Sequence, residues 1–161
     1  MHKIWKGLAI IGIVAIAGVI VAQFVSPQKG NPRVDPTQTI EARTHMPQQV
    51  ADILNRTCRD CHTNQTSWQW YGNIAPGSWL MIADVYVARS RMNLSNWGTY
   101  TPAQQADRLR GMCRRARNGS MPLWYYRALH YPSAWLSSQD VNTLCEWTQS
   151  EGKLLGVPPA P

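Results

Sequence analysis

The chain has 161 residues, with 16 lysines and arginines against 9 aspartates and glutamates, a formal net charge of +7 and 44% apolar residues. That length allows one domain of ordinary size. The composition excludes a disordered chain, a collagen and a multi-pass membrane protein. Four cysteines are too few for a small disulfide scaffold, so their arrangement decides the functional class.

The amino end predicts a membrane-targeting segment. Lys3 and Lys6 precede residues 7–25, which carry no charge and one polar side chain, Gln23. As a helix this run is about 28 Å long, close to the hydrocarbon thickness of a bilayer. It ends without a good small-x-small cleavage site, which favours an uncleaved signal anchor over a cleaved signal peptide or a buried core helix. The positive-inside rule then places residues 26–161 on the periplasmic or other extracytoplasmic side of the inner membrane.

The predicted organisation has four parts. Residues 1–25 form the anchor, residues 26–44 a linker that contains Pro and Gly and little that is apolar, residues 45–152 the globular domain, and residues 153–161 a tail. The sequence shows no internal repeat and no convincing strand pattern. The expected fold class is therefore mainly α.

Four segments of the globular domain show helical periodicity. The first is predicted to start at Pro47 and the second at Pro76, while Thr101-Pro102 is an N-cap pair for the third and Ser137 with Asp140 resembles a capping box for the fourth. The predicted buried stripes are Val50, Ile53, Leu54 and Thr57; Trp79, Leu80, Ala83 and Val87; Ala106, Leu109, Met112, Cys113 and Ala116; and Val141, Leu144, Cys145 and Thr148.

Long irregular connections are expected at 63–75, 92–100 and 120–136. They contain most of the large aromatic residues, namely Trp68, Trp70, Tyr71, Trp97, Tyr100, Trp124, Tyr125, Tyr126, Tyr131 and Trp135. Such loops either supply the core themselves or enclose a flat apolar group.

Cys58-Arg59-Asp60-Cys61-His62 is the C-x-x-C-H pattern of covalent c-type haem attachment. On a helical turn, cysteines at i and i+3 present both sulfurs on one face, at a spacing that suits two vinyl groups on one porphyrin edge. The next residue, His62, is then directed beneath the ring, where an imidazole nitrogen can bind the iron. The motif predicts one haem c, held by Cys58 and Cys61, with His62 as the proximal iron ligand.

Two other uses of a C-x-x-C pair are open. A thioredoxin-type redox pair usually accompanies a βαβ pattern, which this sequence lacks. A zinc site needs four ligands, and Cys113 and Cys145 lie in apolar helical stripes rather than in a second knuckle. The export signal favours haem, because c-type attachment takes place outside the cytoplasm.

The sequence around the motif resembles the haem-binding-domain family of small exported c-type cytochromes. The matching blocks, in the order of the family, are Cys58–Thr66, Trp70–Trp79, Asp84–Trp97, Gly119–Pro122, His130, Ala134–Ser137 and Leu144–Trp147. This resemblance covers about residues 47–150 and implies haem binding and a role in exported electron transfer. The chain departs from the family at Arg89-Ser90, where Gly-Arg is frequent, and by the extra Cys113 and Cys145.

A haem held by one histidine has a second axial position, for which Met121 is the first candidate. It lies in Gly119-Ser120-Met121-Pro122, in a loop between two predicted helices. A methionine ligand raises the potential relative to a second histidine. The alternatives are that Met121 only fills a gap in the core, that His130 or, less favoured, His45 is the ligand, or that the position is open.

The other two cysteines, Cys113 and Cys145, each lie on an apolar helical stripe. Two spare cysteines in an oxidising compartment often pair. A disulfide between them closes a loop of about 33 residues and contributes about 3–4 kcal/mol in the chain-entropy model. The alternative is a pair of buried, inert thiols.

Five arginines lie opposite the apolar stripe of the third predicted helix: Arg108, Arg110, Arg114, Arg115 and Arg117. Three roles are open for these arginines: they form a solvated face, they dock an acidic redox partner, or they pair with a haem propionate. Contact with anionic lipid is a further alternative. Nucleic acid is not expected as a partner of an exported domain.

The sequence therefore predicts a membrane-anchored, exported monohaem c-type cytochrome with a cytochrome c-like helical domain, acting as an electron carrier rather than an enzyme. Its expected partners are redox proteins and the membrane. The first alternative is a haem-based gas or redox sensor, or a peroxidase-like protein, with an open or labile sixth iron position. A haem-free structural or thiol-redox protein is the second.

Overall fold

The regular structure of the chain is helical, as predicted. The computed structural model describes residues 2–25 and 27–156, and in these residues it contains no strand. Their α-helices are α1 (His2–Gln23), α2 (Ile40–Arg43), α3 (Gln48–Thr57), α4 (Arg59–His62), α5 (Gly77–Arg91), α6 (Pro102–Arg117), α7 (Trp124–Leu129) and α8 (Ser138–Leu154). Short 3-10 helices cover Pro36–Gln38, Trp70–Asn73 and Leu94–Thr99. The predicted tail lies mostly outside the described residues.

The two longest helices of the globular part start at the predicted caps. Thr101 and Gln104 form a capping box at the start of α6, and Ser137 and Asp140 form another at the start of α8. In each box the hydroxyl accepts from the third backbone N–H while the side chain of that third residue accepts from the cap backbone N–H. These reciprocal bonds satisfy donors that the helix itself leaves unpaired.

The carboxylate of Asp140 also ties α8 to α3. Its Oδ1 atom lies 2.6 Å from the Arg56 guanidinium, and its Oδ2 atom accepts from the Ser137 hydroxyl at 2.7 Å. Burial raises the pKa of Asp140, but the hydrogen bonds from Ser137 and Arg56 outweigh it and hold the pKa below its usual range.

The predicted buried stripe of α5 is wrong. Trp79, Leu80 and Val87 are 38, 51 and 48% exposed, and Ala83 is exposed as well. The buried residues of α5 are Ser78, Met81, Val85 and Ala88. Apolar residues occur all round this helix, so periodicity alone does not select the face that packs.

All three predicted irregular connections contain short helices, and the 63–75 connection holds the 3-10 helix Trp70–Asn73. The 92–100 connection holds the 3-10 helix Leu94–Thr99, started by the Asn93 side chain, which accepts from the Ser95 backbone. The 120–136 connection holds α7. Segments of about six residues are too short for a periodic pattern to reveal them.

The second half of the predicted linker packs into the core. The Asp35 side chain accepts from the Thr37 backbone and starts the 3-10 helix, and the Thr39 side chain caps α2. Ile40, the first residue of α2, has no exposed surface. Packed structure therefore begins before the predicted boundary at residue 45.

The first half of the linker is attached to the domain by hydrogen bonds. The Lys29 ammonium donates to the Asn73 side chain, and the Asn31 amide exchanges bonds with the Thr66 backbone at 2.9 and 3.2 Å. The linker is therefore not a free tether.

The core lies between α3, α6, α8 and the 3-10 helix Leu94–Thr99. Its buried residues are Ile40, Val50, Ile53, Leu54, Leu94, Trp97, Leu109, Met112, Ala116, Leu144 and Trp147. A disulfide joins Cys113 of α6 to Cys145 of α8, with Cα atoms 4.8 Å apart. Helix α3 packs on α8 and leads directly into the next turn, α4, which packs on α3 and α5.

Helix α1 is long and apolar enough to cross a membrane. Its window Ile4–Gln23 has a mean hydropathy of 2.4, and none of it is buried within the protein. The alternative of a buried core helix therefore does not apply. Its length and composition suit either a membrane anchor or a signal sequence.

Candidate functional site

The C-x-x-C-H motif forms a single helical turn between α3 and α5. Cys58 ends α3 and precedes α4, and its carbonyl accepts from the backbone N–H of Cys61 at 3.3 Å and of His62 at 2.9 Å. Both cysteines are free thiols and partly exposed. The structure thus brings together the three residues that the motif singles out.

The pKa values of the two thiols are raised, whereas a reactive redox pair needs a lowered thiol pKa. Burial raises the pKa of Cys58. Burial, followed by the negative charges of Asp84 and Asp60, raises the pKa of Cys61 to about 12. Reactive C-x-x-C pairs depend on a lowered thiol pKa, so these raised values argue against the thioredoxin-type alternative.

The zinc alternative also lacks ligands in the described structure. Residues 2–25 and 27–156 contain no group of three or more His, Cys, Asp or Glu side chains placed to hold a metal ion. A structural zinc site needs four such ligands.

One ring nitrogen of His62 makes a hydrogen bond, and the other is available to bind a metal. Its Nδ1 atom lies 2.9 Å from the Met92 carbonyl oxygen, at the end of α5. A carbonyl only accepts, so Nδ1 carries the proton and Nε2 keeps its lone pair. Burial lowers the pKa of His62, the carbonyls of Met92 and Ala88 oppose this shift, and the charge of Arg115 adds to it. The ring is therefore a neutral imidazole oriented by a backbone acceptor, the usual state of a histidine that binds a metal.

A buried amide network fixes the chain just after the motif. The Asn64 backbone donates to the Ser95 hydroxyl at 3.0 Å, and the Asn93 amide donates to the Asn64 side chain at 2.8 Å. All three side chains are buried. This network joins the motif to the segment that follows Met92, so both sides of the His62–Met92 bond are held.

Arg89 of α5 connects the loop after the motif to the linker. Its guanidinium donates to the carbonyls of Thr63 and Gly30, both at 2.7 Å, to the Asn31 side chain at 2.9 Å and to the Thr66 hydroxyl at 2.8 Å. The planar fork of arginine suits such divergent acceptors. One side chain therefore holds three segments that are distant in sequence.

Tyrosines from α7 lie over the motif. The Tyr125 hydroxyl donates to Asp84 at 2.7 Å, and the Tyr126 hydroxyl donates to Asp60 at 3.0 Å. Burial raises the pKa of both tyrosines, and these carboxylates, together with the nearby Cys61, add to the shift. Both hydroxyls thus stay protonated at neutral pH and keep donating.

Of the alternative iron ligands, His130 contacts tyrosines beside the motif, whereas His45 pairs with Glu151 of α8. The His130 Nε2 atom lies 2.7 Å from the Tyr71 hydroxyl, and its ring stacks on Tyr126 with centroids 4.1 Å apart. The His45 ring lies 3.5 Å from the buried carboxylate of Glu151, beyond the core. Neither ring is paired with His62.

Met121 lies in the loop after α6, and its backbone N–H donates to the Arg115 carbonyl at 3.2 Å. The partly buried Met121 side chain lines a cavity of about 360 Å³ together with Leu136 and Val141. The hydrogen bonds of the described residues include none between Met121 and His62. Met121 therefore lies next to the carboxyl end of α6, where the charge of Arg115 contributes to the lowered pKa of His62.

The five arginines of α6 do not form one uniform face. Arg108 lies over the Tyr100 ring with its guanidinium carbon 3.8 Å from the centroid, and Arg110 lies 3.7 Å from Asp107. A groove of about 840 Å³ runs between α6 and α8. The basic residues that line it are Arg110, Arg114, Arg117 and Lys153.

Sequence reasoning missed most of the groups that surround the motif. Arg89 stood out only as a departure from the family pattern. Asp60 and Asp84 gave no signal, because their partners Tyr125 and Tyr126 are distant in sequence. A backbone acceptor such as the Met92 carbonyl has no sequence signal at all.

A family model described as a haem-binding domain matches residues 17–150. The chain belongs to the haem-binding domain family. The resemblance seen in the sequence is thereby confirmed, and the protein is a haem protein with one apolar N-terminal helix. No curated protein and no solved structure matches this haem-binding domain.

The residues of the site fit a haem. Cys58 and Cys61 supply two thiols on one turn that are in no disulfide, and His62 supplies a neutral imidazole whose Nδ1 is already bonded to Met92. This is a donor set of the kind that binds haem iron. Tyr126 is bonded to Asp60 within the motif and Tyr125 to Asp84 of α5, which brings two aromatic rings close to this turn.

Proposed function

We propose that the protein is a membrane-anchored, exported monohaem c-type cytochrome that carries electrons. The observation that carries the proposal is the helical turn at residues 58–62. It presents two free thiols next to an imidazole whose orientation is set by the Met92 carbonyl. A haem-binding domain with this turn has the parts that covalent attachment requires.

Each residue of the turn has a distinct part in this proposal. Cys58 and Cys61 hold the cofactor through thioethers, and His62 binds the iron through Nε2. Haem, when bound, supplies one-electron chemistry through ferrous and ferric iron. The Met92 carbonyl keeps His62 in one tautomer and rotamer, which limits rearrangement of the ligand between the two oxidation states.

Met121 is proposed as the second axial ligand. Its support is its position in the loop after α6, where its backbone is bonded to Arg115, the residue whose charge contributes to the lowered pKa of His62. The thioether makes no hydrogen bond in the described structure. A Met ligand favours the reduced iron and raises the potential.

The globular domain is proposed to be cytochrome c-like, with its long loops around a single haem, and to carry electrons rather than catalyse a reaction. Tyr125 and Tyr126 lie over the motif and bond to Asp84 and Asp60. Bulky rings at this position would limit the access of water to a bound haem. A dry, preorganised site suits electron transfer with little rearrangement.

Helix α1 is proposed to be an uncleaved anchor, with the domain on the periplasmic or other extracytoplasmic side. The exposed apolar surface of α1 and its length support a span. The basic residues Lys3 and Lys6 precede the span, which favours an inward amino end. Covalent attachment of haem to Cys58 and Cys61 also requires this location, because c-type attachment takes place outside the cytoplasm.

The proposed partner is a redox protein with an acidic surface. The groove between α6 and α8 is bordered by Arg114, Arg117 and Lys153, and the chain carries a net charge of +7. Charges of this kind steer association, and their effect falls as salt rises. Arg108 and Arg110 are already engaged with Tyr100 and Asp107 and are expected to contribute less.

The test is covalent retention of haem on a denaturing gel. The chain is produced with a haem-attachment system, and the gel is stained for haem. The wild-type band stains, and a variant with Cys58→Ser and Cys61→Ser does not. A matched variant with Cys113→Ser and Cys145→Ser keeps the stain, because that pair is joined in a disulfide away from the site. Staining of the first variant, or none in the wild type, contradicts the proposal.

A second candidate is a haem-based sensor or a peroxidase-like protein with an open or labile sixth position. The observation that favours it is that the Met121 side chain already lines a cavity with Leu136 and Val141. Carbon monoxide distinguishes the two functions. Slow or no binding to the reduced wild type supports a ligated sixth position and the electron carrier, whereas rapid stoichiometric binding supports the sensor.

A further inference from the structure

The outer face of α5 is apolar, exposed and without charge. At 100° per residue, six positions fall within about 120° of arc. They are Trp79, Leu80, Ala83, Tyr86, Val87 and Ser90, and all are exposed. Tyr86 is 77% exposed and Leu80 51%. This face lies opposite the buried side of the helix, so the described residues of the domain leave it exposed.

The uncharged face begins where α1 ends. The Gln23 side chain accepts from the Ala75 backbone at 2.9 Å and donates to the Ala75 carbonyl at 3.3 Å. The Trp79 ring nitrogen donates to the Val25 carbonyl at 2.6 Å. These three bonds place the start of α5 directly against the carboxyl end of the apolar helix.

The depth of this junction follows from the length of α1. The helix carries Lys6 near its start, and the apolar residues that follow run to about 28 Å, enough to cross the hydrocarbon layer once. Gln23 and Val25 then lie at the far surface of the bilayer, and Trp79, bonded to Val25, lies there with them. Tryptophan is enriched at this depth because its ring is apolar and its N–H is polar.

The linker gives the domain little freedom to move away from the membrane. Gly30 and Asn31 are bonded to Arg89 of α5, and Lys29 is bonded to Asn73. The chain that joins α1 to the domain is thus fastened along the domain itself. The start of α5 at Trp79 is therefore held next to the end of α1.

We propose that the outer face of α5, defined by the six residues above, lies on the lipid bilayer surface as an interfacial helix. This inference rests on the proposed membrane anchor. Helices with a continuous apolar face bind at the boundary between headgroups and acyl chains. The occupant is lipid, because the face is continuous with the end of a span through Trp79 and Val25. Contact with lipid fixes the orientation of the domain, and with it the surface that the haem site presents to partners.

The test compares two labelled sites in the haem-loaded full chain, reconstituted in phosphatidylcholine nanodiscs. Val87→Cys lies on the face, and Leu154→Cys lies at the end of α8, with exposures of 48 and 67% in the native side chains. Each new thiol carries an environment-sensitive fluorophore, since the native cysteines are held by haem or by the disulfide. The label at 87 is expected to be quenched several-fold more by nitroxide lipids than the label at 154, and several-fold less by aqueous iodide.

Three results overturn the proposal. Equal quenching by iodide at positions 87 and 154 shows that the outer face of α5 is exposed to water. Shielding of the 87 label from both quenchers, with a dependence on the number of chains per nanodisc, shows that a second copy covers the face. Lipid quenching of both labels shows general adsorption of the domain. Extraction of the chain by alkaline carbonate is measured separately, because release from membranes overturns the anchor itself, whereas a retained chain with a bare face overturns only the docking of α5.

Discussion

Replacing Arg89 by alanine is expected to loosen the loop that follows the haem motif. The native guanidinium makes four hydrogen bonds, to Thr63, Gly30, Asn31 and Thr66, at 2.7 to 2.9 Å. Hydrogen bonds to a charged group are worth up to about 3 kcal/mol when buried, but this side chain is partly exposed, so about 1 kcal/mol each is appropriate. The sum is about 3–4 kcal/mol, or a fall in Tm of about 10 °C for a chain of this size.

Thermal unfolding of the full chain in detergent, followed by circular dichroism, measures this loss. Arg91→Ala is the matched control, because Arg91 is exposed on the same helix and makes no hydrogen bond or ion pair within the described residues. Arg89→Lys is expected to fall between the two, since an ammonium cannot reach four divergent acceptors. Equal Tm values for Arg89→Ala and Arg91→Ala would refute the reasoning.

Three further changes have defined outcomes. Asp140→Asn is expected to cost about 1 kcal/mol at neutral pH; because the folded pKa is lowered, this stabilisation is present above pH 3.8 and is lost as the pH falls through the folded pKa. Replacing both Cys113 and Cys145 by serine is expected to cost about 3–4 kcal/mol while covalent haem is retained. Met121→Ala is expected to change the visible spectrum and lower the reduction potential.

Each of these outcomes has a contrary result. Denaturation curves for Asp140→Asn and wild type that differ equally at neutral and at strongly acidic pH contradict the charge argument. A double serine variant as stable as the wild type shows that the disulfide does not constrain the unfolded chain. An unchanged spectrum and potential in Met121→Ala show that another group, or none, is the sixth ligand.

Local signals predicted those features that depend on neighbours in sequence. The capping boxes at Thr101 and Ser137 are confirmed because a cap and its partner lie three residues apart. The turn at Cys58 through His62 is of the same kind, since its geometry follows from helical spacing. The buried stripe of α6, which includes Cys113, is also confirmed.

Features that depend on tertiary contacts were not available from the sequence. The buried face of α5 was predicted on the wrong side, because the helix has apolar residues all round and packing of Met81 and Val85 decides which side is covered. The sequence predicts a linker at Ile40, but the Ile40 side chain is buried in the core. A single apolar residue among polar ones gives no periodic signal.

The contacts around the haem motif also depend on tertiary structure, so the sequence does not predict them. The Met92 carbonyl that orients His62 is a backbone group, and its position depends on how α5 ends beside α4. The pairs Tyr125–Asp84 and Tyr126–Asp60 join residues that are far apart in the chain. The resemblance to the haem-binding domain family includes Asp60, Asp84 and Met92 in its matching blocks but does not indicate their contacts, and it does not include Tyr125 or Tyr126.

The central claim, a covalent bond from the cofactor to both cysteines of one turn, is tested most directly by mass spectrometry of the natively matured chain after proteolysis. The account predicts that the peptide containing Cys58, Cys61 and His62 is heavier than its sequence mass by one haem, and that this mass survives denaturation and acid acetone extraction. A peptide of unmodified mass, with two alkylatable thiols, would contradict it.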